Sequence, residues 1–93
     1  AAGGNYTLYS GASGNAIQGM ALDPSGIGSA PTLLFGAANG SFYKVPIANP
    51  ANAVVIAQPA GSSPYATTPS IDTTNALVQA GNDNGNVYSF MRN

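Results

Sequence analysis

Thr32-Leu33-Leu34-Phe35-Gly36-Ala37-Ala38-Asn39-Gly40-Ser41-Phe42-Tyr43-Lys44-Val45 is the stretch that decides the fold. Two runs rich in apolar and aromatic residues flank Asn39-Gly40. Asn-Gly between hydrophobic runs is the strongest short-range hairpin signal, because a type I′ turn needs positive φ at both central residues. The stretch therefore predicts an antiparallel hairpin over about 32–46. The same arrangement returns near the other end, where Ala76–Gly81 and Asn86–Met91 flank Asn84-Gly85. Gly40 and Gly85 stand 45 positions apart, and that shift also superposes Gly36 on Gly81, Asn39 on Asn84, Phe42 on Val87 and Tyr43 on Tyr88. Leu22-Asp23 and Ile71-Asp72 correspond at a shift of 49. The second hairpin is expected over about 76–91.

Between and before the hairpins the chain offers strands and turns rather than helices. Glu is absent, only one Lys and one Arg are present, and 12 Gly and 7 Pro interrupt every candidate helix. Tyr6–Ser10 and Ala16–Leu22 read as strands, and Asp23-Pro24-Ser25-Gly26 as a turn set by proline at its second position. Ile27–Ala30 reads as loop. Val54-Val55-Ile56-Ala57 reads as a strand buried on both faces. Residues 59–70, with Pro59, Pro64 and Pro69, read as an irregular crossing. The predicted architecture is mainly β: one small antiparallel domain spanning 1–93, built from Asn-Gly hairpins joined by Pro/Gly-rich loops.

Composition narrows the function. Of 93 residues, only Asp23, Lys44, Asp72, Asp83 and Arg92 carry full charge, 5% against roughly 25% in ordinary soluble domains. Weak self-repulsion permits close packing against copies or partners. Two cations cannot form a phosphate-binding footprint, so no nucleic-acid partner is expected. With 44% hydrophobic residues and eight aromatics the chain should fold. No apolar run approaches the ~20 residues of a membrane span. The opening Ala1-Ala2-Gly3-Gly4 resembles the small-residue start left by signal-peptide cleavage, so an exported, extracellular protein is expected.

The chemical inventory argues against an enzyme. Without His, Cys or Glu there is no His-containing nucleophile triad, no thiolate and no zinc site of the usual kinds. No catalytic, cofactor-binding or metal residue is assigned, and no cofactor is expected. Asp23 and Asp72 could pair as an acid/base dyad, but their contexts read as Asx-type turns. Asn82-Asp83-Asn84-Gly85-Asn86 is rich in oxygen ligands, yet EF-hand spacing would put Ala80 at the first ligand position, and a hairpin turn explains it. Asn5-Tyr6-Thr7 and Asn39-Gly40-Ser41 are formal glycosylation triplets. The Phe rings are expected in the core, with several Tyr rings at its edge and their hydroxyls wet. Lys44 and Arg92 read as solvated tips, or as lone charges that pair with an acidic partner and set its register.

Two resemblances follow. The pattern Gly-x-x-Asn-Gly-x-(Phe/Val)-Tyr, repeated at 36–43 and 81–88, resembles quinoprotein-type β-propeller repeats, whose blades end in a glycine-containing strand, an Asn-Gly turn and an aromatic strand. Two blades are fewer than the about four to eight of a closed ring. In its exported-looking start, length, β pattern and low charge, the whole chain resembles the globular β-chain of a split type IV pilin, of the geopilin domain 2 kind. That resemblance implies a structural subunit of an extracellular filament, held noncovalently to a short helical pilin and to copies of itself. A pilin β-half is expected to show one sheet with an uncovered apolar face. A free-standing binding or adhesion module is the remaining alternative. The residues expected at a partner interface are Val54, Val55, Ile56, Lys44 and Arg92.

Overall fold

The computed structural model describes residues 7–11, 16–57 and 63–93. Ala1–Gly4, Asn5, Tyr6 and Pro59 lie outside the described residues, and so do the readings placed on them. Among the described residues seven strands form two antiparallel sheets. Sheet 1 holds β1 (Ile17–Asp23), β2 (Thr32–Ala37), β3 (Phe42–Pro46) and β4 (Val54–Ile56), adjacent in that order. Sheet 2 holds β5 (Ser70–Asp72), β6 (Leu77–Gly81) and β7 (Val87–Met91). Single 3₁₀ turns at Ile27–Ser29 and Pro50–Asn52 complete the described elements. Among the described residues no helix is long and apolar enough to cross a membrane.

The two sheets are one unit used twice. In sheet 1, Thr32 pairs with Pro46, Leu33 with Val45, Leu34 with Lys44, Phe35 with Tyr43 and Gly36 with Phe42. In sheet 2, Leu77 pairs with Met91, Val78 with Phe90, Gln79 with Ser89, Ala80 with Tyr88 and Gly81 with Val87. Every pair in the second set is its counterpart shifted by 45 positions. The first strand of each sheet obeys the same rule: Asp23 pairs with Thr32 and Leu22 with Leu33, as Asp72 pairs with Leu77 and Ile71 with Val78. The spacing is 49 there because the loop after Asp72 is four residues shorter than the loop after Asp23.

Both hairpins turn at their Asn-Gly, in a different geometry from the expected one. Only the glycines have positive φ, 86° at Gly40 and 87° at Gly85; neither asparagine does. The Gly40 N–H donates to the Ala37 carbonyl, and the Gly85 N–H to the Asn82 carbonyl. The Ala37 N–H donates to Ser41 O, and the Asn82 N–H to Asn86 O. This is a three-residue loop with glycine in the left-handed position, the next commonest hairpin after the two-residue turns. Asn39 and Asn84 take its third corner, where their Oδ1 atoms accept from the N–H of Ser41 and Asn86, each at 3.0 Å.

Side chains alternate across each sheet. The front of sheet 1 carries Leu34 and Phe42, both wholly buried. Against it lies the back of sheet 2, with Val78, Ala80 and Phe90, and Ile56, Ile71 and Tyr88 at the margin. Phe42 and Phe90 stack with centroids 4.5 Å apart, and Tyr65 meets Phe42 edge-on at 5.7 Å. The back of sheet 1 holds a second cluster, Phe35, Ala37, Tyr43 and Val45, partly covered by Leu8, Tyr9, Leu33 and Ala53.

Three sequence expectations are corrected here. Thr7–Ser10 form no strand; Leu8 and Tyr9 lie on the back of sheet 1 as cover, so their apolar spacing reports burial and not a ladder. Val54-Val55-Ile56 is a strand, but an edge strand of sheet 1, with Val54 and Val55 40% and 46% exposed and Ile56 half-buried. The tyrosines are not confined to the edge: Tyr65 and Tyr43 are as buried as the phenylalanines. β5 follows from no residue pattern of its own, since three residues at the end of a proline-rich crossing give no alternation to read.

Candidate functional site

The repeat makes the stacked faces the place to look. Sheet 2 lays its back on the front of sheet 1, so the contact joins two different faces of the same unit. Tyr65, from the segment before β5, is the wedge in that contact. Its backbone N–H donates to Ala37 O at 3.4 Å, Tyr65 bridges to Asn82, and its ring lies over Gly36. A Cβ at Gly36 would come 2.4 Å from Tyr65 Cβ and 2.5 Å from its Cγ, so only glycine admits the ring here. Tyr65 Oη is buried without a hydrogen-bond partner among the described residues. Burial, with Tyr88 nearby, raises its pKa.

Polar groups pin the seam. Asp23, at the end of β1, is wholly buried on the front of sheet 1. Arg92 follows β7, and its Nε donates to Asp23 Oδ2 at 2.8 Å and its Nη2 to Oδ1 at 2.7 Å. The Ser25 N–H donates to Oδ1 at 3.0 Å. Arg92 hydrogen bonding is the main reason that the Asp23 pKa is lowered; burial opposes it. Lys44, also on the front of sheet 1, is buried and donates from Nζ to Met91 O at 2.9 Å. Desolvation lowers its pKa. Both cations expected at a partner interface are therefore engaged inside the chain, Lys44 reaching from β3 to the end of β7 and Arg92 from the end of β7 to the end of β1. A side chain on a strand front is a solvated tip only if nothing stacks on that front.

The Asp72 carboxylate serves its own turn. Asp72 Oδ1 accepts from the N–H of Thr74 and Asn75, and its Oδ2 accepts from Asn75 Nδ2 at 2.8 Å, which lowers its pKa. In the 82–86 turn, Asn82 Oδ1 accepts from the Asn84 N–H and Asn84 Nδ2 donates to Tyr88 Oη. The side-chain oxygens of Asn82 and Asn84 are engaged by turn N–H groups. Among the described residues no group of three His, Cys, Asp or Glu could hold a metal ion.

Among the described residues two faces keep exposed apolar surface. The back of sheet 1 has a groove of about 130 Å³ lined by Leu8, Tyr9, Ile17, Met20, Leu33, Phe35 and Val45. Met20 and Leu22 beside it are each 52% exposed. The front of sheet 2 exposes Val87 (73%) and Met91 (68%) around Gln79 and Ser89. Sequence reading expected an uncovered apolar face and placed it at the edge valines; it did not name Ile17, Met20, Leu22 or Met91 as interface residues. The chain matches no protein-family model, no curated protein and no solved structure with which it was compared.

Proposed function

We propose that this chain is a non-catalytic structural module of two propeller-type blades, acting outside the cell by docking its open sheet faces in a protein assembly. The observation that carries the reading is the front-to-back stacking of two sheets with one register. A repeated unit buries its apolar surface against a neighbour, and the outer side of each sheet keeps exposed apolar residues among the described residues. Here one end exposes Ile17, Met20 and Leu22 around an apolar groove. Contiguous apolar patches of this kind on small domains mark interaction sites. The duplicated sheet favours the blade reading over a pilin β-half, for which a single sheet is expected. The filament reading keeps one support of its own, the nearly uncharged surface, which offers little repulsion between close-packed subunits.

The test is a photo-crosslinking amino acid placed at Val55 or Leu22, on the back of sheet 1, in the producing cell. Discrete higher-mass adducts are expected from both positions, with none from a control at Asn75 in the β5–β6 turn. If both positions stay uncrosslinked, the docking reading is wrong.

A further inference from the structure

We propose that the occupant of the open back of sheet 1 is the front of sheet 2 of a second copy of this chain, giving head-to-tail stacks. This rests on the docking reading above and names its partner. The argument is the equivalence of faces. Inside the chain, the back of sheet 2 (Val78, Ala80, Tyr88, Phe90) lies on the front of sheet 1 (Leu34, Phe42). The 45-position shift maps that back onto Leu33, Phe35, Tyr43 and Val45, on the back of sheet 1, where Leu8 and Tyr9 already cover Phe35, Tyr43 and Val45 and where Ile17, Met20 and Leu22 stay exposed around the groove. It maps that front onto Gln79 and Val87, the open front of sheet 2. The exposed part of each face is thus the counterpart of surface that is buried within the chain, and joining the two, with Leu8 and Tyr9 between them, continues that interface.

The wedge repeats as well. Tyr65 meets Tyr88 edge-on at 6.1 Å, and Tyr9 meets Tyr43, the counterpart of Tyr88, edge-on at 5.9 Å. Tyr9 holds on the back of sheet 1 the place that Tyr65 holds on the back of sheet 2. Tyr65 is seated on Gly36; at the counterpart Gly81 the Thr67 side chain takes that space, its Oγ1 accepting from the Gly81 N–H at 3.1 Å, so the tyrosine repeats and its glycine seat does not. The charged pins do not repeat, because Ile47 stands at the counterpart of Arg92 and Ser89 at that of Lys44. Contact between copies is therefore weaker than contact between sheets, and reversible. A contact between two different faces propagates; it makes rings if the rotation closes and open filaments if it does not.

The experiment uses sedimentation velocity on the full chain over a range of concentrations. The wild type is expected to form dimers and larger species. Met20→Asp blocks one face and Val87→Asp the other; both positions are more than half exposed, so both variants should fold, and Leu22→Asp and Met91→Asp serve as second substitutions. Each variant alone should still form a dimer only through its unblocked face with a wild-type copy, and by itself lose every species above monomer. Mixing the two should restore a dimer and nothing larger, since one intact front meets one intact back. A single variant that still dimerises by itself would mean that like faces meet, and a mixture that stays monomeric would mean that front and back do not; either would overturn the proposal. So would a wild type that is monomeric throughout; if crosslinks at Val55 or Leu22 persist in cells in that case, the docking reading stands and only the second copy is excluded.

Discussion

The Asp23 carboxylate and the Arg92 guanidinium meet across 69 positions of chain in a bidentate ion pair that bolts the start of sheet 1 to the end of sheet 2. Asp23 is wholly buried and Arg92 mostly so. Removing one partner of such a pair leaves the other charge desolvated and alone, which costs far more than the pair contributes. Asp23→Ala should therefore destabilise by about 3 kcal/mol, a fall of roughly 12–24 °C in Tm at this size. Thermal unfolding by circular dichroism measures it; a shift under about 4 °C would mean that the pair does not hold the sheets together.

The same pair sets the acid limb of stability. The folded-state pKa of Asp23 is lowered, so its contribution is fully present above the unfolded value of about 3.9 and is lost as pH falls through the folded value. The urea midpoint should drop as pH falls below about 4. Asp72 has the same sign from its own turn, so wild type minus Asp23→Ala isolates the Asp23 share. If the two proteins lose stability in parallel below pH 4, the assignment to Asp23 fails.

Tyr65 gives predictions of opposite sign from one site. Its buried hydroxyl lacks a partner, and an unmet buried hydroxyl costs free energy that phenylalanine avoids. Tyr65→Phe should stabilise by about 1 kcal/mol. Gly36→Ala should destabilise by about 3 kcal/mol, because the new methyl meets Tyr65 Cβ and Cγ, atoms too near the backbone to swing aside. Denaturant unfolding of both variants checks the pair. A destabilised Tyr65→Phe would show that the hydroxyl is satisfied after all.

The hairpin glycines test the repeat itself. Gly40 and Gly85 share a φ near 87°, and a Cβ at Gly85 would touch nothing within 4 Å. The cost of Gly85→Val is thus conformational, about 1–3 kcal/mol for a β-branched residue at positive φ. Gly40→Val should fall in the same range. Equal losses of urea midpoint would agree with two copies of one turn; a loss at only one would separate them.

The sequence carried the repeat because hairpins are local: Asn-Gly, its flanking strands and the 45-position match all lie within short windows. It carried the fold class for the same reason. The turn subtype did not follow, since Ala37 and Ala38 leave either loop length open and only the Gly40 N–H bond to Ala37 decides. Val54-Val55-Ile56 misled because three apolar residues are equally at home in a core strand and on an edge awaiting a partner. Lys44 and Arg92 misled for a tertiary reason. Nothing near either residue announces that sheet 2 ends above the front of sheet 1, so a long-range seam turned two expected tips into internal pins.

Lys44 makes that seam visible in alkali. Its ammonium is buried against Met91 O, and desolvation lowers its folded-state pKa below the usual 10.5. Between the folded and unfolded values the unfolded chain binds more protons, so stability rises with pH across that interval. The protonated amine is a burden that the fold sheds as pH climbs. Raising pH from 7 towards 10 should therefore increase the urea midpoint of the wild type. Lys44→Met keeps most of the side-chain volume and removes the titration, so its midpoint should stay flat over the same range. The raised pKa of Tyr65 works against stability only above about 10, where the unfolded phenol ionises first. A wild type whose midpoint is flat or falling between pH 7 and 10, alongside an identical Lys44→Met curve, would mean that the Lys44 amine is hydrated and not held in the seam.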